Sequence, residues 1–254
     1  MSQPTQRQAW RRTDDHTKGT PKVKLVTEDL PLPLHPTFVL IKVHAVALNY
    51  RDANIANGGN PWPVTPNGIP GNDAAGTGGV STFALKLARA SGLRVILTSS
   101  SDEKLEQIKK QFGKPEIQTV NYKTHPEWHK EVLRLTNGVG VDLIVENGGS
   151  SSLVQSMECT RRGGIVSQVG YLGGPKSEHL KEFVSTIIDR RLNVRGINAG
   201  SKDDQDELMA AISATQMTFE DILDSTWSFD KADEAIAYVW QGKQVGKVIV
   251  KLDD

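Results

Sequence analysis

The sequence predicts an α/β protein built on a Rossmann-type doubly wound parallel sheet, and three observations predict it. From Gly76 onward, short aliphatic and β-branched runs alternate with charged segments whose apolar residues recur at helical spacing. A glycine turn, Gly76-Thr77-Gly78-Gly79-Val80-Ser81, opens the first of these helices. The run Arg94-Val95-Ile96-Leu97-Thr98 then ends in Ser99-Ser100-Ser101, with Lys104 just beyond. Strands alternating with helices of this length imply βαβ units and a parallel sheet covered on both faces.

Each element follows from its own residues. Residues 1–20 are polar and nearly free of large aliphatics, which predicts a disordered arm. The run from Phe38 to Leu48 is the best strand of the first third, and residues 53–57 have the makings of a short helical turn. Residues 58–75 are rich in Gly, Pro and Asn and read as loop. After the glycine turn come a helix through Phe83, Leu85 and Leu87, the strand at 94–98, and a helix over 102–112 with Leu105, Ile108 and Phe112 on one face. A strand at 118–122, a helix with Trp128, Val132 and Leu135, and a strand at 141–146 follow. Next are a helix holding Leu153 and Met157, a strand at 164–169, a helix around 180–188 and a strand at 192–197. The tail reads as a helix through Leu208 and Ile212, a strand through Ser225, Trp227 and Phe229, a helix through Ala232, Ala235 and Tyr238, and a last strand at 247–252.

Composition narrows the function. Lys plus Arg (30) balances Asp plus Glu (30), so no net field draws the 254-residue chain to nucleic acid or to an anionic membrane. No apolar run approaches the ~18–20 residues of a membrane span, and the N-terminus lacks the apolar core of a secretion signal. The single cysteine, Cys159, excludes an internal disulfide and a multi-cysteine zinc site, and a cytoplasmic location is expected.

The chemistry lies in the glycine turn and the strand ends. Gly76, Gly78, Gly79 and Val80 let backbone amides approach a pyrophosphate at the positive end of the helix. The end of the following strand reads the adenosine ribose. Here it carries Ser99, Ser100 and Lys104 where NAD-binding proteins place an acid, so a 2′-phosphate is favoured and the expected cofactor is NADP. Lys104 is otherwise a solvated lysine on a charged helix face. The loops at Asn147 and at Gly170-Tyr171-Leu172 follow the fourth and fifth strands, where ligands of doubly wound sheets bind; their glycines otherwise serve ordinary turns. His125 and His129 flank Glu127 in the wrong order for a zinc motif, and no metal is expected. Cys159 reads as structural.

The segments Ala47-Leu48-Asn49-Tyr50-Arg51-Asp52, Ile69-Pro70-Gly71-Asn72-Asp73-Ala74-Ala75-Gly76, the glycine turn, Asn121-Tyr122, Gly140-Val141-Asp142 and Gly246-Lys247-Val248-Ile249-Val250 occur in an order that resembles the medium-chain dehydrogenase/reductases. The likeness is to their zinc-independent, quinone-oxidoreductase-like branch, often labelled zinc-type alcohol dehydrogenase-like. It implies a truncated catalytic part over residues 21–75, a dinucleotide-binding domain over 76–215 and a return to the catalytic part over 216–254. It also implies that Asn49, Tyr50 and Asp52 face the substrate, with Tyr50 either donating to a developing enolate oxygen or packing as a core tyrosine. Tyr122 would lie along the adenosine end of the cofactor, or else simply pack on the sheet. Relatives of this kind pair through the edge strand of the nucleotide domain, so a homodimer is expected.

One departure stands out. Family members carry a long stretch between the Asp-Ala-Ala-Gly loop and the glycine turn, including the first strand of the nucleotide-binding sheet. Here the two motifs abut at Gly76. In the order 3-2-1-4-5-6 the first strand joins the two halves of the sheet. Either another segment, such as 39–47, fills the vacancy, or the chain is a truncated form. The expected activity is metal-independent reduction by NADPH of an activated double bond, quinone or carbonyl of a small molecule. The alternative is a catalytically impaired remnant that binds a nucleotide or a partner.

Overall fold

The computed structural model describes residues 4–34, 40–59, 63–69, 77–171 and 177–252. The chain divides into two compact units, one of Met1–Gly79 with Ile222–Asp254, the other of Val80–Asp221.

In the first unit, β1 (Gln6–Arg12) pairs antiparallel with β2 (Val23–Asp29) over its whole length. The expected disordered arm is thereby corrected. Its aliphatic poverty is offset by Trp10, whose indole Nε1 donates to the Phe229 carbonyl at 2.8 Å, and by Glu28, which takes Arg11 and Arg7 at 2.7 Å each. Those guanidiniums, Arg11 first, hold the Glu28 carboxyl below its usual range.

A second sheet has the order β3-β10-β9. Its members are β3 (Ala45–Leu48), β10 (Lys247–Lys251), antiparallel to β3, and β9 (Leu223–Ser228), parallel to β10. Of the long strand expected over 38–48, residues 38 and 39 lie outside the described residues. The remainder gives a strand of four residues, 45–48, where β10 pairs. Ile41 is 72% exposed. Helix α1 (Tyr50–Ala56) starts three residues earlier than the turn expected at 53–57. It packs with α8 (Ala232–Trp240) over a core of Leu48, Ala53, Ala235, Ile236, Val239 and Val248.

The second unit carries the nucleotide-type sheet, in two pieces. Strands β4 (Ile96–Ser99) and β5 (Gln118–Asn121) form a parallel pair. Strands β6 (Val141–Glu146), β7 (Thr160–Gln168) and β8 (Asn193–Gly196) form a parallel triplet in the order 6-7-8. Helices make the crossovers: α3 (Asp102–Phe112), α4 (Trp128–Leu135), α5 (Leu153–Glu158) and α6 (Phe183–Arg190). Read as 3-2-1-4-5-6, β5 and β4 are strands three and two, while β6, β7 and β8 are four, five and six. Among the described residues no strand joins β4 to β6. The place left open among the described residues is that of the first strand, in the middle of the sheet. The segment 39–47 does not replace it, since its residues 45–47 are committed to β10.

What joins the pieces is side-chain packing. Val120, Val132 and Cys159 form a buried cluster with Ile96, Val141 and Ile144 against it, so β4, β5 and β6 share one core beneath α4. Beside it, Leu153, Met157, Val166 and Leu192 bury the junction of α5, β7 and the approach to β8. The alternate side chains of β6 and β7 lack such cover: Leu143 is 50% exposed and Ile165 43%. The expectation of a sheet covered on both faces therefore holds for one face of this triplet and fails on the other. Two helices remain, α2 (Thr77–Ala90) and α7 (Lys202–Thr215), the latter with no buried residue. No helix among the described residues is long and apolar enough to cross a membrane.

Candidate functional site

The residues read as an adenosine site converge at the carboxyl end of the β4–β5 pair. Ser99 closes β4 and faces Asn121 across the ladder. Tyr122 follows β5; its amide donates to the Ser99 carbonyl at 3.0 Å, and its ring is 44% exposed. Ser100 follows Ser99, and Lys104 lies in the first turn of α3. Ser101 caps that helix, its hydroxyl accepting from the Lys104 amide at 3.3 Å. Asn121 ties β5 to the same turn by donating through Nδ2 to Asp102 at 2.9 Å. The strand end thus presents serine hydroxyls, and the Asp102 carboxylate in the adjoining turn of α3 is engaged by Asn121.

A second group gathers at the carboxyl end of the β6–β7 pair. Asn147 follows β6 and donates through Nδ2 to Ser81 Oγ, in α2, at 3.4 Å. Gly170 lies directly against Asn147: a Cβ on it would stand 2.6 Å from the Asn147 carbonyl. Tyr171 backs onto Gly149, whose φ of +82° and 2.6 Å approach to Tyr171 Cα demand glycine. Gly78, Gly79 and Val80 form the first turn of α2, which carries no acidic residue. Gly76 and Leu172 lie outside the described residues.

In the first unit, Asn49 caps α1. Its amide donates to Asp52 Oδ2 at 2.7 Å, and Asp52 is 1% exposed. Lys247 donates through Nζ to Asn49 Oδ1. Burial lowers the Lys247 ammonium below the usual lysine range, while Asp52 acts in the opposite direction. The same lysine passes over Gly79, where a Cβ would meet its Cδ at 2.9 Å. Tyr50 stacks on Trp240 at 5.6 Å with the rings 16° apart, and burial holds its hydroxyl proton above the usual tyrosine range. The structure thus joins Asn49 and Asp52 around a cation that sequence reasoning missed as a site residue. The signal was in the Gly246-Lys247 pair, whose glycine has a φ of +123°.

The remaining candidates resolve simply. His129 sets Nδ1 2.9 Å from Gln155 Oε1 and Nε2 3.3 Å from Glu158, both of α5. Cys159 is fully buried, and desolvation pushes its thiol up to about 12.

A nicotinamide dinucleotide needs an acid-free helix start, a nearby cation and a hydroxyl-lined strand end. Within the second unit, the start of α2 carries no acidic residue and β4 ends in Ser99-Ser100.

A family model described as zinc-binding dehydrogenase matches residues 79–214. A zinc-type alcohol dehydrogenase-like protein of Schizosaccharomyces pombe is 40% identical over 187 residues, covering 72% of this chain and 53% of its own. A 2-haloacrylate reductase of a Burkholderia species is 33% identical over 100 residues, 39% of this chain and 29% of its own. Among solved structures, a putative alcohol dehydrogenase of Sinorhizobium meliloti superposes with a TM-score of 0.80 at 19% identity, covering 99% of this chain and 100% of that one, which shows the fold. The chain spans about half the length of the first of these relatives. With its parallel strands, helical crossovers and matched residues 79–214, the chain belongs to the zinc-binding dehydrogenase family of medium-chain dehydrogenase/reductases.

Proposed function

We propose that this oxidoreductase-family chain uses NADPH, without metal, to reduce an activated double bond, quinone or carbonyl of a small molecule. The observation that carries the cofactor choice is the end of β4, where Ser99 and Ser100 meet Tyr122 and the first turn of α3 with Lys104. Hydroxyls and an ammonium welcome a 2′-phosphate, and of the two acids in that turn Asp102 is engaged by Asn121. The similarity to a protein named as a 2-haloacrylate reductase supports the choice of an activated double bond.

The cofactor, when bound, supplies a hydride. The chain's own residues bind and orient. Backbone amides of α2's first turn meet negative charge. Asn147 and Gly170 shape the nicotinamide end. Tyr50, kept protonated by burial and held by Trp240, is the donor to a substrate oxygen as negative charge develops on it. Asn49, Asp52 and Lys247 hold the loop that presents it.

The test is a titration of the wild type and Lys104→Glu with NADPH and NADH. Tryptophan quenching is expected to show at least about tenfold weaker NADPH binding in the variant with little change for NADH. Equal losses would refute the NADP assignment. A second reading, an impaired remnant that binds without turnover, is favoured by the sheet's division between β4 and β6. Binding with no NADPH oxidation across a panel of enones and quinones would select it.

A further inference from the structure

Glu146 closes β6 and is 5% exposed. Its Oε1 accepts from the amides of Gly148 at 2.6 Å and Gly149 at 3.2 Å and from Ser152 Oγ at 2.7 Å, while Oε2 accepts from Ser156 Oγ. Its main-chain carbonyl accepts from the amides of Val169 at 2.8 Å and Gly170 at 3.2 Å. One residue therefore fixes both loops at the carboxyl end of the β6–β7 pair. Through its carboxylate it shapes Asn147-Gly148-Gly149, and through its carbonyl it holds Gly170 against them. Four hydrogen-bond donors, two amides and two hydroxyls, carry the charge. Such a carboxylate is stable in the interior only while those donors stay on it, and they include two amides of the loop that borders the candidate site.

We propose that Glu146 is a positioning residue of the cofactor site. Its carboxylate gathers the loop after β6 into the shape that receives the nicotinamide half of the dinucleotide, by pulling the Gly148 and Gly149 amides inward and leaving Asn147 outward beside Ser81. This rests on the cofactor reading above. A glutamine keeps an oxygen for the two amides and Ser152, and Ser156 can then accept from the new amide group; an alanine leaves all four donors without a partner.

The experiment titrates wild type, Glu146→Gln and Glu146→Ala with NADP and with 2′,5′-ADP, which carries the adenosine half alone. Glu146→Ala is expected to weaken NADP by about tenfold or more and 2′,5′-ADP by less than about twofold, with Glu146→Gln within about threefold of wild type for both. Equal weakening of both ligands by Glu146→Ala, or of neither, overturns the proposal. A general loss of stability would move both, so the split between them isolates the local role. Should Glu146→Ala not fold, hydrogen exchange decides: the Gly148 and Gly149 amides are expected to be protected in wild type and in Glu146→Gln, and rapid exchange at both in wild type overturns the assignment. A folded wild type that binds neither ligand overturns the cofactor reading and this assignment with it. Binding of both by wild type without the split overturns the positioning role alone.

Discussion

Cys159 tests whether the divided sheet is closed by its side chains. The thiol has no exposed surface and lies in the cluster of Val120 and Val132 that Ile96, Val141 and Ile144 complete, so it is reachable only when the seam between β4–β5 and β6 opens. Burial raises its pKa from 9.0 to about 12. At pH 8 the thiolate fraction is then about 10⁻⁴ in the folded chain and about 10⁻¹ in the unfolded one, a factor of about 1,000 from ionisation before any steric protection. The sign of the pH effect follows. The folded state keeps its proton where the unfolded state releases it, so this contribution to stability is full below pH 9 and is lost as pH rises from 9 toward 12. Labelling with a chromogenic disulfide at pH 8 is therefore expected to run at least about 1,000-fold slower in native buffer than in denaturant. The midpoint of urea unfolding is expected to fall as pH climbs above 9. Labelling of the native protein at the rate of an unfolded cysteine would show that the seam is open and that the packing argument is wrong.

Three further substitutions probe the remaining links. Met157→Ala removes a side chain with no exposure from the cluster of Leu153, Val166 and Leu192 and is expected to cost about 2–5 kcal/mol in a urea melt; a loss under about 1 kcal/mol would mean that α5 is not seated on β7. Gly149→Ala places a Cβ 2.6 Å from Tyr171 Cα at a φ of +82°, so more than about 2 kcal/mol of destabilisation is expected, against little for Gly196→Ala, which meets nothing within 4 Å; equal effects would count against the loop geometry. Lys247→Met removes the ammonium from Asn49 Oδ1 and from the neighbourhood of buried Asp52, and an unfolding midpoint lowered by about 1–3 kcal/mol is expected; an unchanged midpoint would deny the lysine a structural pairing.

The regular part of the chain was legible because periodicity and capping agree there. The charged segment from Asp102 to Phe112 forms α3 with the bounds its spacing predicts, begun by Ser101 and ended by Gly113. The residues 141–146 likewise form β6 as expected. Local signals failed where tertiary partners decide. β1 has no aliphatic run to announce it; it exists because Trp10, Arg7 and Arg11 find Phe229 and Glu28 elsewhere in the chain. The apolar run before Ala45 announces a strand, yet only 45–48 meet β10. The strand ends at which Ser99, Tyr122, Asn147 and Gly170 stand were legible because they are predictable from alternation. Glu146 and Lys247 were passed over because their roles come from what they touch, across ten residues for Glu146 and Ser156 and across 198 for Lys247 and Asn49.

The missing strand bears unequally on the parts of the site. The adenosine end needs only β4, β5 and the start of α3, which are joined by their own ladder, by Asn121 on Asp102 and by the cap at Ser101. The loops after β6 and β7 need only their ladder and Glu146. Neither depends on a strand between β4 and β6. The diphosphate does, because in a doubly wound sheet the first strand delivers the chain into the glycine turn and fixes where the following helix points. Here that duty falls to contacts within the second unit: Ser81 with Asn147, and farther along Phe83 stacked on Phe219 at 5.7 Å. In the proposed site the deletion therefore weighs on the amides of one helix turn rather than on the strand ends assigned to the base and to the nicotinamide.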